Sequence, residues 1–139
     1  MLFLRCLTSQ RMATRTTNGI TVSVATQYLD EHSDPRYNKY IFGYHITIEN
    51  ASPHTVQLMR RHWVIQDGNG QLHDVEGEGV VGQQPVLEPG AVHAYTSFCN
   101  LSSEFGKMSG TYLMSRADDG SLFEVAIPEF QLAAPFKSN

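Results

Sequence analysis

The sequence predicts an all-β domain, a sandwich or a barrel of about seven to nine short antiparallel strands. Three observations predict it. Apolar residues recur with period two from Ile20 onward, which is the alternation of half-buried strands. Clusters of Gly, Pro, Asn and Asp interrupt the chain at spacings of about eight to twelve residues. No long segment carries the 3.6-residue period of a helix.

Taken in order, Ile20, Val22 and Val24 alternate with Thr21, Ser23 and Ala25 and open a strand that ends near Leu29. The polar run from Asp30 to Asn38, with Pro35 inside it, is a solvated connection. Tyr40, Phe42, Tyr44, Ile46 and Ile48 then fall on one face of the clearest strand in the chain. Asn50-Ala51-Ser52-Pro53-His54 is a turn, and a strand resumes over Thr55 to Gln66. Its apolar positions move from Val56 and Leu58 to Trp63 and Ile65, an odd offset that reverses the face and predicts a bulge or bend near Arg60 and Arg61.

Asp67-Gly68-Asn69-Gly70 is a hairpin turn, because Gly and Asn tolerate positive φ. A short strand over Leu72 to Val75 leads into Gly77-Glu78-Gly79-Val80-Val81-Gly82. Val86-Leu87 precedes Glu88-Pro89-Gly90, whose Pro-Gly pair predicts a type II turn. Val92, Ala94, Thr96 and Phe98 alternate with His93, Tyr95, Ser97 and Cys99 in a further strand. Ser102 to Lys107 is polar and has room for one helical turn. Gly110 to Ser115 and Leu122 to Ile127 form a hairpin about Asp118-Asp119-Gly120, with Pro128 ending the second strand, Phe130 and Leu132 as a possible extension, and a tail from Pro135.

A chain of 139 residues suits one domain large enough to hold a core without disulfide or metal. Cys6 and Cys99 are the only cysteines; a structural bridge is not expected, and a reducing compartment fits. Residues 1–17 carry Arg5, Arg11 and Arg15 and no acid, while the remainder holds seven Lys or Arg against fourteen Asp or Glu. Phosphate-driven affinity needs cations, so an acidic domain argues against a nucleic-acid partner. The apolar run in Met1 to Leu7 is too short for a secretory or membrane-spanning helix. No later segment approaches that length, so no membrane association is expected. The expected organisation is a ragged or disordered segment over 1–18, one domain over 19–136 and a tail over 137–139. Whether Met1 or Met12 begins the protein stays open.

Gly77, Gly79 and Gly82 have the GxGxxG spacing of a nucleotide-phosphate loop. Such a loop needs a helix directly after it, so that free N–H groups and the positive dipole end face the pyrophosphate. Gln83-Gln84-Pro85 and then Pro89-Gly90 follow here, and no helix can run through them. The glycines are therefore expected to bend an extended ribbon.

Arg61-His62-Trp63, Asp67-Gly68-Asn69-Gly70, Gly77-Glu78-Gly79-Val80-Val81-Gly82, Gln84-Pro85, Pro89-Gly90, Tyr95-Thr96-Ser97 and Gly110-Thr111-Tyr112 occur in this order. Together they resemble the bacterial ApaG family over about residues 19–136. The resemblance selects a sandwich over a barrel and implies an immunoglobulin- or fibronectin type III-like fold. It also implies a small cytoplasmic protein, loosely linked in bacteria to cobalt and magnesium resistance and to dinucleoside-polyphosphate metabolism. Related domains occur in eukaryotic adaptors that mediate protein contacts, and the resemblance implies no settled reaction.

Candidate chemistry centres on the glycine loop. Turn N–H groups can hold an anion without a helix, but Asp74, Glu76 and Glu78 oppose phosphate unless a cation intervenes. Those carboxylates could attract Mg²⁺, yet no spaced ligand pattern accompanies them. His32, His45, His54, His62, His73 and His93 include no HxH, HxxxH or HExxH spacing, although His62 and His73 flank one hairpin and could meet. No Gly-x-Ser-x-Gly elbow is present. Cys99 is read as a small buried residue, and Trp63 as a core residue. Arg60 and Arg61 offer a cationic patch for a partner's carboxylate or phosphate.

The reading taken is a non-enzymatic binding module with a protein partner, no catalytic residues, no cofactor and no metal site. Its candidate contact loop comprises Gly77, Gly79, Gly82, Glu76, Glu78, Arg60, Arg61 and His62. The alternative is a regulatory protein that senses a divalent cation or a nucleotide phosphate through residues 77–82.

Overall fold

Period-two alternation becomes, among the described residues, nine antiparallel strands in two facing sheets. The structure is a computed structural model that describes residues 11–135. Its strands are β1 (Arg11–Thr17), β2 (Ile20–Tyr28), β3 (Tyr40–Asn50), β4 (Val56–Asp67), β5 (Leu72–Glu78), β6 (Val86–Leu87), β7 (Val92–Leu101), β8 (Phe105–Arg116) and β9 (Leu122–Ala133). One sheet has the order β1-β2-β3-β7; the other has the order β5-β4-β8-β9, with β6 also pairing β4. Two 3₁₀ turns, Asp30–His32 and Pro35–Tyr37, fill the polar connection.

Ile20, Val22 and Val24 of β2 and Phe42, Tyr44, Ile46 and Ile48 of β3 are buried, as their alternation predicts. Across the interior they meet Trp63 of β4 and Phe130 of β9. The Trp63 ring lies 5.4 Å from Tyr44 and 5.8 Å from Phe130, both edge-on, the arrangement in which aromatic quadrupoles attract. Trp63 is thus a core residue, as expected.

The reversal of face along β4 has the expected cause. Leu58 pairs with Met114 and Arg60 with Leu113, so Met59 is an extra residue without a partner on β8. Beyond this bulge the odd-numbered residues Arg61, Trp63, Ile65 and Asp67 point inward. Arg60 and His62 point out.

Three expectations need correction. Residues 11–17, placed in a ragged segment 1–18, form β1 and pair with β2 from Arg11↔Thr26 to Thr17↔Ile20. Asn18 (φ 50°) and Gly19 (φ 79°) make the two-residue turn with positive φ at both positions that favours a hairpin, and Ala13 packs on the core. Residues 1–10 and the tail 137–139 lie outside the described residues. Ser102 to Lys107 forms no helical turn: bends at Ser102 to Glu104 lead directly into β8 at Phe105, because Ser102 and Ser103 are held by Asp67. Pro128 does not end its strand. Opposite Met108 to Gly110 the register of β9 shifts by one residue, and a bulge there tolerates the missing N–H.

Candidate functional site

The β4–β5 hairpin brings the candidate residues together. Register pairs Arg60 with Glu78, Arg61 with Gly77 and His62 with Glu76. On the outer face His62 Nε2 lies 3.4 Å from Asp74 Oδ2 and 3.8 Å from Glu76 Oε2. His73 pairs with Ile65 and points to the other face, so it does not meet His62. Thr111 and Leu113 of β8 and Glu124 of β9 join Arg60, His62 and Glu76 in a shallow depression of about 260 Å³. Sequence reasoning missed these three, because alternation assigns a face but not the neighbouring strand.

Arg61 works on the inner face. Its guanidinium lies over Gly77, where a Cβ would come within 2.9 Å of Nη1. From there Nη1 donates to the carbonyl oxygens of Glu78 at 3.0 Å and Gly79 at 2.9 Å. Gly77 is therefore needed for close approach and not for its backbone angles. Gly79 (φ 63°) and Gly82 (φ 75°) are the conformational joints.

Beyond Gly82 the chain turns back. Val80 and Gln83 exchange two backbone hydrogen bonds, 2.8 and 3.0 Å, around a two-residue turn of Val81 and Gly82. Both turn residues have positive φ, 46° and 75°, the pattern of a type I′ hairpin turn. No helix follows, so Gly79 and Gly82 bend an extended ribbon, as predicted, while Gly77 stays within β5. The loop is fixed to β4 by the bulge: the Met59 carbonyl accepts from Gly79 N–H at 2.9 Å and from Gln84 Nε2 at 3.0 Å. Gln57 Nε2 donates to the Gln84 carbonyl at 3.1 Å, and Leu58 N–H to the Pro85 carbonyl at 3.0 Å. The sequence carried no signal for these amide contacts, which depend on Met59 leaving the ladder.

A phenol pair, Tyr112 buried and Tyr95 half-buried, lies near Arg61. Tyr95 and Tyr112 share a 2.6 Å hydroxyl–hydroxyl hydrogen bond, and Tyr112 is 0% exposed. Burial, the largest cause, raises both phenol pKa values, and Arg61 opposes it. Neither hydroxyl is prepared to act as a base at neutral pH. Tyr95→Phe is expected to cost about 1–3 kcal/mol, because it leaves a buried hydroxyl unpaired; urea unfolding of the two proteins measures the difference.

Cys99 is buried, and its thiol pKa is raised to about 11 by that burial, with a smaller contribution from Asp67. It is expected to resist a thiol-specific reagent at pH 7.5 (~99.9% thiol at that pKa) and to react once denaturant is added, read by mass spectrometry. Among the described residues, no three His, Cys, Asp or Glu side chains are grouped to hold a metal ion.

At the opposite end of the hairpin Asp67 closes the sandwich. Its Oδ1 accepts from Gly68 N–H at 2.8 Å and from the Ser103 hydroxyl. Its Oδ2 accepts from Ser102 N–H at 2.8 Å and the Ser102 hydroxyl at 2.7 Å. A second depression of about 270 Å³, bordered by Asp67, Phe105 and Lys107, lies beside it.

These features define a small immunoglobulin-like β-sandwich whose distinctive part is a pinned glycine loop. The chain belongs to the ApaG family: a family model described as the ApaG domain matches residues 30–116. It is similar to the Protein ApaG of Brucella suis biovar 1 (strain 1330), 48% identical over 124 residues that cover 89% of this chain and 95% of that one. The Protein ApaG of Brucella anthropi is 51% identical over 119 residues, 86% of this chain and 91% of that protein. A crystal structure described as that of the ApaA protein of Bordetella pertussis superposes with a TM-score of 0.81 at 46% identity, covering 85% of this chain and 95% of that one. The relatives are named without an enzymatic activity. No helix among the described residues is long and apolar enough to cross a membrane.

Proposed function

We propose that this domain is a non-enzymatic binding module, cytoplasmic, that contacts another protein through the β5 edge and the loop over residues 76–90. The observation that carries the reading is the loop itself. Hydrogen bonds from Arg61, Gln84, Gln57 and the main chain hold it in one shape, while Val81 and Val86 at its surface stay exposed. A loop ordered before binding loses little entropy on docking. The family's link to cobalt and magnesium resistance then reflects the partner and not a metal held by this chain.

The alternative, a sensor of a divalent cation or a nucleotide phosphate, has less support. The N–H groups of Gly79, Val80 and Gln83 are already bonded within the protein, and the nearby Arg61 donates to carbonyls. One titration separates the readings. Amide resonances of Glu76 to Gly82 are expected to stay in place when Mg²⁺, Co²⁺ and a dinucleoside polyphosphate are added singly and together. Saturable shifts there would replace the first reading with the second. A pull-down from lysate that returns no specific partner would count against the binding reading itself.

A further inference from the structure

The outermost strand of a sheet offers unpaired main-chain groups, which folds guard with charge, proline, a bulge or cover. The edges at β1, β5 and β9 are guarded. β1 carries Arg11 and Arg15, β9 carries Glu124, Glu129 and the bulge at Pro128, and the two meet where Ala126 N–H donates to Thr17 Oγ1. β5 carries Asp74, Glu76 and Glu78 within seven residues. The remaining edge, β7, has none of these devices: its ten residues include no charged side chain and no proline, and they pair with β3 without a register shift.

Register shows where the free groups of β7 point. Asn50 N–H donates to the Ala91 carbonyl at 3.0 Å, so by the alternation of an antiparallel ladder the odd-numbered residues of β7 bond to β3. The N–H and C=O groups of Val92, Ala94, Thr96, Phe98 and Asn100 face away from the sheet, and none has a main-chain partner among the described residues. The facing sheet extends past this edge. His73 and Val75 pair with Ile65 and Trp63 and so point inward, yet Val75 is 40% exposed where Trp63 is 3%, because no strand of the first sheet lies opposite β5.

Charge narrows what fits there. Facing the gap from β4, β5 and β7 are Arg61, His73, His93, Tyr95 and Cys99, while Asp67, at the end of β4, is occupied by its four hydrogen bonds. Arg61 pairs with no carboxylate among the described residues. Asp74, Glu76 and Glu78 stand on the other, outer face of β5, where Arg60 and His62 offset them.

Resting on the binding-module reading but not on its choice of loop, we propose that β7 takes up an extended segment of another protein as a fifth strand of its four-stranded sheet. The segment's inward side chains are an apolar one over Val75 and, two residues along, a carboxylate toward Arg61, whose guanidinium lies over Gly77. In such additions main-chain bonds supply affinity and alternate side chains supply selectivity. A second copy does not fit: its β7 has no acid to offer, and its own overhanging β5 would enter the space that β5 already fills.

The test places a photo-reactive amino acid at Thr96, and at Gln83 and Leu122 for comparison, in the full-length protein inside cells. The stretch crosslinked from position 96 is identified by mass spectrometry and made as a synthetic peptide. On adding that peptide, amide exchange is expected to slow by about tenfold or more at Val92, Ala94, Thr96, Phe98 and Asn100 and to stay unchanged at His93, Tyr95 and Ser97, which β3 already holds. Thr96→Pro removes one outward N–H and no bond to β3; with its fold checked by amide spectra, it is expected to weaken peptide binding by about tenfold or more. Val75→Ser, which leaves the ladder intact, and a peptide with its carboxylate changed to an amide are also expected to bind more weakly. The proposal is overturned if position 96 yields no adduct or one within this chain or its copies, if exchange slows at all β7 amides alike or at none, or if folded Thr96→Pro or Val75→Ser binds the peptide as tightly as the unaltered protein. An adduct from Gln83 alone would sink strand addition and leave the broader binding reading standing. An absence of adducts from all three positions would sink both.

Discussion

Asp67→Ala is expected to lower the unfolding free energy by about 3 kcal/mol. The carboxylate is 5% exposed and accepts four hydrogen bonds, from Gly68 N–H, Ser102 N–H and the hydroxyls of Ser102 and Ser103. Removing it takes the acceptor from Ser102 N–H and leaves Gly68 N–H only its bond to the Ser103 hydroxyl at 2.9 Å, and it unfastens the β7–β8 bend from the β4–β5 turn. Asp67→Asn restores one acceptor and sets an NH₂ against the other donors, so it recovers only part of the loss. Denaturant titration gives the ranking: unaltered protein, then Asn, then Ala.

The same residue sets an acid limit. Burial pushes the Asp67 pKa up, but hydrogen bonds from Ser103, Ser102 and Gly68 together outweigh it and hold the group below its ordinary value of 3.8. The folded pKa is therefore the lower one. Its stabilisation is complete at neutral pH and disappears as the pH falls through the depressed value. Stability measured against pH should drop less steeply below pH ~4 in Asp67→Asn than in the unaltered protein; equal slopes would refute this role.

The glycine triplet supplies the second large effect, as a graded series. At Gly79 a Cβ would collide with the Gln83 carbonyl oxygen, and φ is 63°, so Gly79→Ala combines overpacking with left-handed strain at a cost of about 2–4 kcal/mol. At Gly82 a Cβ meets open space and only the φ of 75° is penalised, for about 1 kcal/mol. Gly77→Ala meets the far end of the Arg61 side chain, which can withdraw; it is expected to loosen the loop more than the fold. Amide exchange at Gly79 and Gln83 should therefore speed up in Gly77→Ala with little change in the global transition. Equal costs at all three positions would mean that shape plays no part in the motif.

Much of this architecture was legible in the sequence, and the misses have physical causes. Period-two alternation marked β2, β3 and β7, and the odd offset between Leu58 and Trp63 located the Met59 bulge to within a residue. Asn18-Gly19 was an equally direct hairpin signal, but the polar residues of Arg11–Thr17 offered too little alternation to be read as β1. Pro128 suggested an end because a missing N–H usually interrupts a ladder; a bulge in β9 itself absorbs it. The candidate loop was legible as residue types, since Arg60, Arg61, His62, Glu76 and Glu78 do assemble on one hairpin. What joins them was not. The approach of Arg61 over Gly77 and the amides of Gln57 and Gln84 depend on strand register and on side-chain reach, neither of which has a spacing in the chain.

The bulge at Met59 has a further consequence. Leu58 and Arg60 face consecutive residues of β8, Met114 and Leu113, so a chain lacking Met59 would pair straight through with every downstream side chain on its present face. What such a chain would lose is the peg on which residues 79–85 hang. Chassis and payload are thereby fastened at one redundant residue, and a single deletion could part them.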